Sequence, residues 1–150
     1  MVRRQPRIHR ARRDGVAIDP AEMLRSALDA FALAPGQVLF REGDEGDHMY
    51  VVLNGSVDIL VGDTVIESAT RGVVLGEMAM IDDGPRSASA IANVASRLVA
   101  IDRNRFHLLV QRHPTFSTHV MKVLADRLRH MNQLFLAARG RERAGAEPKA

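Results

Sequence analysis

The alternation of short apolar runs with turn residues between positions 37 and 102 constrains the fold of this chain most strongly. Short strands at near-regular spacing are typical of a β-sandwich or barrel. Asn54-Gly55 predicts a hairpin, because both positions of the commonest two-residue turn need positive φ. Gly62-Asp63 predicts the next turn. The predicted strands cover residues 38–40, 49–53, 57–61, 64–68, 73–75, 87–92 and 97–101.

The segment before this region predicts a basic arm followed by a short helix. Residues 1–13 contain six arginines and no acidic residue, whereas the rest of the chain is mildly acidic. Asp19 suits an N-cap and Pro20 the first helical position. An apolar face then repeats at three and four residues as far as Phe31. We therefore predict a basic disordered arm at 1–18 and a short helix that begins after its N-cap.

Helical periodicity returns after the last predicted strand. A short helix should end before His113-Pro114, and a longer one should run from Pro114 to about Ala138. The longer helix carries two adjacent apolar lines, so one line can pack on the strands while the other faces a ligand pocket or the same helix of a second subunit. Residues 139–150 are predicted to form a flexible tail. The two lines are Met121, Leu124, Leu128, Met131, Phe135, Ala138 and Phe116, Val120, Val123, Leu134.

The composition limits the classes of function. The chain has 46% hydrophobic and 26% charged residues, which is typical of a folded globular domain. No apolar run reaches the ~18 residues of a membrane helix, and no apolar segment follows the N-terminal arginines as it would in a secretory signal. A cytoplasmic protein is therefore expected. The chain has no Cys, and its six histidines lack metal-ligand spacing, so no metal site is predicted.

The segment 76–89, which reads GEMAMIDDGPRSAS, contains the residues best suited to a ligand. A short helix predicted near its start would offer free backbone N–H groups to an anion, and Gly76 permits close approach. Arg86 and Ser87 would complete a phosphate site, because a guanidinium can bind phosphate through two hydrogen bonds. Glu77 would repel a phosphate but suits sugar hydroxyls. Together these residues indicate a nucleotide site.

This segment resembles the phosphate-binding cassette of the cyclic nucleotide-binding domain superfamily, the sensor domain of catabolite activator proteins and protein kinase A regulatory subunits. That cassette reads approximately G-E-x-A/S and then R-S/T-A, and here it reads GEMA and PRSAS. The similarity extends to PGQVLFREGDEGDHMYVVLNGSVDI at 35–59, AIDRNRFHLLVQRHP at 100–114 and ADRLRHMN at 125–132. It implies a mainly β domain over 19–138. Its fold would be a double-stranded β-helix (jelly-roll) barrel with a short N-terminal helix, a cassette helix and a long C-terminal helix.

The resemblance also implies a role for each site residue. Glu77 would bind the ribose 2′-hydroxyl with help from the Gly76 carbonyl, and Arg86 would pair with the cyclic phosphate. Ser87 would donate its hydroxyl and backbone N–H to the same phosphate, and the backbone N–H of Ala79 would add a contact. The cassette also contains Met78 and Ala88, Ile59 would line an apolar wall, and candidate base contacts are Arg127, Met131 and Asn132.

The function expected from this resemblance is a freestanding, non-enzymatic sensor. It would bind cAMP or cGMP, with cAMP favoured, and would signal to an unidentified protein effector through movement of the long helix. No catalytic residue is predicted. A barrel that binds no nucleotide could instead act through self-association or the basic arm. DNA binding by the arm and an enzyme of the cupin type are further alternatives, which the sequence favours less.

Overall fold

Eight strands and three α-helices make up the structure, a computed structural model that describes residues 19–146. A 3-10 helix (Glu77–Met80) lies between the sixth and seventh strands. In chain order the elements are α1 (Pro20–Leu24), β1 (Phe31–Leu33), β2 (Val38–Phe40), β3 (His48–Asn54), β4 (Val57–Val61), β5 (Thr64–Ala69), β6 (Val74–Leu75), β7 (Ser89–Ala92), β8 (Ser96–Asp102), α2 (Arg103–Arg112) and α3 (Thr115–Gly145).

The strands form two four-stranded antiparallel sheets. One sheet has the order β1-β8-β3-β6 and the other β2-β7-β4-β5. Alternate side chains of the strands point into the space between the sheets, where Val52, Leu75 and Leu98 are fully buried. This double-sheet barrel with flanking helices confirms the predicted fold class.

The predicted hairpin at Asn54-Gly55 is wrong, because β3 and β4 lie in different sheets. Asn54 keeps a negative φ and still belongs to β3, and only Gly55 has positive φ, at 94°. A Cβ atom at Gly55 would lie 2.2 Å from the hydroxyl of Ser96, so the chain turns tightly against β8 and crosses to the second sheet. The prediction at Gly62-Asp63 is confirmed, because β4 and β5 pair directly on either side of that turn.

The N-terminal helix is shorter than its apolar spacing predicts. Its start is confirmed, since the Asp19 side chain accepts a hydrogen bond of 2.9 Å from the backbone N–H of Ala21. The helix ends at Leu24, however, and Leu28 on the predicted face is fully exposed. Phe31 belongs to β1 and pairs with β8. Pairing with a neighbouring strand therefore overrides a helical pattern in this segment.

The long helix α3 packs on the core through both predicted apolar lines, since Val123 of one line and Leu124 of the other contact the same cluster. Phe116 and Val120 are buried in the core cluster beneath α1 and β3. The predicted end near Ala138 is wrong, because α3 continues to Gly145 through residues predicted as a flexible tail. The segment 139–145 has three Arg, one Glu and one Ala, which are strong helix formers, and they outnumber its two glycines, which are not. The predicted arm at 1–18 and the last residues, 147–150, lie outside the described residues.

The helix α2 confirms the prediction for the segment after the strands. The Asp102 side chain accepts a hydrogen bond of 2.7 Å from the backbone N–H of Arg105 and so caps the helix, which ends before Pro114 as predicted. None of the helices within residues 19–146 combines the length and apolar character that a membrane span requires.

Candidate nucleotide-binding site

A cavity of about 420 Å³ lies between β4, the segment 76–88 and α3. This volume falls in the range of about 300–1,000 Å³ that is usual for small-molecule sites. The structure brings nearly all of the predicted site residues to this cavity, and Asn132 is the exception, exposed elsewhere on α3. The predicted residues that line the cavity are Ile59, Gly76, Glu77, Met78, Ala79, Arg86, Ser87, Ala88, Arg127 and Met131.

The conformation of Gly76 shapes the start of the cassette. Gly76 has a φ of 68° and caps the 3-10 helix, so the predicted short helix is present as a single tight turn. A Cβ atom at this position would lie 2.4 Å from Nη1 of Arg86. The Gly76 carbonyl accepts hydrogen bonds from the backbone N–H of Ala79 at 3.2 Å and from Arg86 at 3.2 Å. Glycine is therefore needed here both for its backbone angle and for the space that the guanidinium occupies.

The Arg86 guanidinium is a buried positive charge without a counter-ion in the described part of the chain. Arg86 is 8% exposed and stacks on the Phe40 ring at 4.3 Å. Nη1 donates to the Gly76 carbonyl, and Nη2 donates to the His48 carbonyl at 2.7 Å, while Nε has no partner. Among residues 19–146, no carboxylate oxygen lies within 4.0 Å of its nitrogens. A buried charge held only by neutral groups favours binding of an anion.

The Glu77 carboxylate, in contrast, already has a charged partner. Glu77 is 4% exposed, and its Oε1 accepts a hydrogen bond of 2.6 Å from Nη1 of Arg127 on α3. Nε of the same guanidinium donates to Oε2 of Glu67 on β5, and Nη2 donates to the Val74 carbonyl, both at 2.6 Å. Burial favours loss of the Arg127 proton, but the two carboxylates outweigh it and raise the pKa of Arg127. Arg127 thus ties α3 to the barrel, and its reading of a base stays a prediction.

Ser87 belongs to the same segment and also lines the cavity. It donates to the thioether sulfur of Met78 over 3.6 Å, which is a weak hydrogen bond. The Met78 side chain is 46% exposed, so this contact is easily exchanged for a better acceptor. Ser87 and Arg86 are adjacent in sequence and both face the cavity. A phosphate could therefore reach both.

The apolar wall of the cavity contains most of the lining residues that the sequence did not predict. The prediction that one of the two apolar lines of α3 could face a ligand pocket did not say which, and the structure places Leu124 and Leu128 of the first line at the cavity. Strand residues carried no comparable signal, because many apolar strand positions look alike before the sheets are assembled. The strand residues missed are Phe40, Val61, Ile66 and Leu75.

Within residues 19–146, no three histidine, aspartate or glutamate side chains are placed to hold a metal ion.

Comparison with known proteins identifies the family. The model of the family described as "Cyclic nucleotide-binding domain" matches residues 30–113, which is more than half of the chain. The chain therefore belongs to the cyclic nucleotide-binding domain family, as its cassette predicted. That family is a regulatory binding domain, typically without enzymatic activity of its own.

Individual relatives show how much of each protein is shared. Lysophospholipase nte1 of Aspergillus oryzae is 32% identical over 123 residues, which cover 79% of this chain and 8% of that protein. The cAMP-dependent protein kinase regulatory subunit of Eremothecium gossypii is 32% identical over 92 residues, 61% of this chain and 20% of that protein. The solved Catabolite Activator Protein of Thermus thermophilus aligns with a TM-score of 0.66 and 29% identity, covering 83% of this chain and 62% of that chain. The chain thus spans only a small part of these sequence relatives.

Proposed function

We propose that this chain binds a cyclic nucleotide, cAMP or cGMP, in the cavity and signals to a protein partner through movement of α3. The observation that carries this proposal is the Arg86 guanidinium, which is buried beside the cassette and lacks a carboxylate partner within residues 19–146. The cyclic phosphate of such a ligand would supply the missing negative charge. The N–H donors of Arg86 that are not bound to carbonyls are the groups that would bind it.

The rest of the cavity suits the other parts of a nucleotide. The Ser87 hydroxyl can leave its weak sulfur contact and donate to the phosphate. Only Oε1 of Glu77 is hydrogen-bonded in the described part of the chain, which leaves Oε2 for a ribose hydroxyl. The base would lie between apolar side chains of the strands and of the helix, namely Ile59, Val61, Leu124 and Leu128.

Signalling through α3 is supported by where this helix lies. Its middle lines the cavity, and its second half extends away from the barrel with Phe135 and Leu136 more than 60% exposed. A bound base would contact the same helix that presents this exposed surface. Ligand binding would favour the positions of α3 that contact the base and so change the surface that α3 presents to a partner.

The choice between cAMP and cGMP is left to experiment, because the similar proteins point to both. A structure entitled "Sp-2Cl-cAMPS bound to PKAR CBD2" aligns with a TM-score of 0.62 and 25% identity. A structure entitled "A cyclic-GMP-dependent signalling pathway regulates bacterial phytopathogenesis" aligns with a TM-score of 0.58 and 33% identity. Both nucleotides must therefore be compared on the same protein.

Isothermal titration calorimetry with cAMP and cGMP tests the proposal. The wild type should bind at least one of them saturably. Arg86→Ala should weaken binding roughly tenfold to a hundredfold or more, because a hydrogen bond to a charged group contributes about 1.5–3 kcal/mol. Arg97→Ala is the matched control, since Arg97 is an exposed arginine on β8 and should bind as the wild type does.

Two results would overturn this proposal. One is the absence of binding by the wild type in calorimetry at several temperatures and in a direct binding assay. The other is an Arg86→Ala protein that is folded by circular dichroism and binds with unchanged affinity.

Self-association through α3 is a second candidate function, favoured by the exposed apolar side chains of that helix. Met121, Leu128 and Phe135 are each about 60% exposed on α3. Large apolar groups at this spacing form a continuous line that a second copy could cover. Sedimentation equilibrium with and without nucleotide distinguishes a monomer from a dimer and shows whether the ligand shifts that balance.

A further inference from the structure

Arg127 is shared between two carboxylates of different exposure. The Glu77 side chain on the cassette is 6% exposed, and the Glu67 side chain on β5 is 29% exposed. Each accepts a hydrogen bond of 2.6 Å from a different nitrogen of the same guanidinium. The single positive charge of Arg127 therefore neutralises two negative charges only in part.

This partial neutralisation bears on the residue that would recognise ribose. A carboxylate accepts a hydroxyl hydrogen bond more strongly when it retains its negative charge. If Arg127 paired with Glu77 alone, the pair would be neutral and Glu77 would be a weaker acceptor. Because Glu67 competes for the same guanidinium, Glu77 keeps part of its charge for the cavity.

We propose that Glu67 is a specificity-determining residue for the ribose. It lies outside the lining of the nucleotide cavity and acts through Arg127, by keeping Glu77 a strong acceptor for the 2′-hydroxyl. Glu67 also anchors Arg127 to β5, so a hydroxyl can bind Glu77 without releasing α3 from the barrel. This inference rests on the proposed binding of a cyclic nucleotide.

The test compares affinities for two ligands that differ by one hydroxyl. Calorimetry gives the dissociation constants of cAMP or cGMP, whichever binds more tightly, and of its 2′-deoxy counterpart. In the wild type the 2′-deoxy ligand should bind roughly tenfold or more weakly. The measured quantity is the ratio of the dissociation constant of the 2′-deoxy ligand to that of the parent nucleotide. In Glu67→Gln this ratio should fall at least about threefold, because glutamine can keep the hydrogen bond to Arg127 but not the charge.

Controls separate this role from a structural one. Glu142→Gln makes the same chemical change at an exposed position near the end of α3 and should keep the wild-type ratio. Glu67→Asp retains the charge on a shorter side chain and should lower the ratio less than Glu67→Gln does. If Glu67→Gln does not fold, Glu67→Ala replaces it as the test, and an unchanged ratio in folded Glu67→Ala would contradict the electrostatic role.

The possible failures are distinguishable. A wild type that binds no cyclic nucleotide overturns the proposed function, and this inference with it. A wild type that binds, with the same ratio in Glu67→Gln, overturns only the role of Glu67. If Glu67→Gln weakens both ligands equally, Glu67 supports the structure and does not determine specificity.

Discussion

Two largely buried arginines line the same cavity in different electrostatic surroundings. Arg86, on the cassette, is held by two backbone carbonyls and an aromatic ring. Arg127, on α3, is held by two carboxylates and a carbonyl. Within residues 19–146 the protein therefore balances the charge of Arg127 with carboxylates and pairs that of Arg86 with none. Burial alone does not distinguish the two arginines, and the presence or absence of a carboxylate partner does.

The difference also predicts different consequences of mutation. Removal of Arg127 would leave a buried carboxylate without compensation, which is costly to the folded state. Removal of Arg86 would break no ion pair within residues 19–146, and Asp47, whose carboxylate feels its charge, is exposed to water. This change should therefore mainly affect ligand binding. The following experiments test this contrast, from the largest expected effect to the smallest.

Loss of Arg127 should have the largest effect on stability. Arg127→Met leaves Glu77 buried and unpaired, and the free energy of unfolding should fall by about 3–5 kcal/mol in urea denaturation. Arg129→Met, two residues along the same helix, removes an exposed arginine and should leave the unfolding curve close to that of the wild type. A similar stability for the two variants would contradict the internal balance of charge at Arg127.

A methyl group at position 76 should displace the Arg86 guanidinium. Gly76→Ala places a Cβ atom 2.4 Å from Nη1 of Arg86, and the alanine must also adopt the positive φ of this position. In Gly36→Ala the alanine must likewise adopt a positive φ, but no atom lies within 4 Å of its Cβ. Both variants should lose about 1–2 kcal/mol of stability from the backbone, measured by thermal unfolding. Only Gly76→Ala should bind cyclic nucleotide at least tenfold more weakly, and equal affinities would show that Arg86 adapts freely.

The smallest expected effect is on the ionisation of Tyr50, the single tyrosine of the chain. Burial raises the pKa of Tyr50, and the positive charge of Arg86, 5.9 Å from its ring, partly opposes this. An absorbance titration should therefore give a midpoint above about 10, the value of free tyrosine. The midpoint should rise further in Arg86→Ala.

The same shift has a consequence for stability. Because the neutral phenol is favoured in the folded state, its contribution is fully present below about pH 10 and is lost as the pH rises through the folded pKa. Tyr50→Phe should lack this part of the alkaline loss. A wild-type midpoint at or below that of free tyrosine would contradict the burial of Tyr50.

Local sequence patterns predicted most of the secondary structure and the cassette. The short apolar runs became strands within about two residues of their predicted bounds, and α2 ended before Pro114 as predicted. GEMA and PRSAS contain most of the cassette residues that line the cavity, because contacts such as that of Arg86 with Gly76 are local to one segment. Patterns of this kind depend on near neighbours in sequence, which are readable without the fold.

The amino-acid sequence by itself determined where seven of the eight strands within residues 19–146 form, where the helices begin and which segment is suited to an anion. The tertiary structure alone decided that β3 and β4 lie in different sheets, that Phe31 is in a strand, and that Arg127 pairs with Glu67 and Glu77. Arg127, for example, is 50 or more positions away in sequence from each of its two carboxylates. The physical reason for these three features is pairing and charge compensation across the assembled barrel, which no local pattern records.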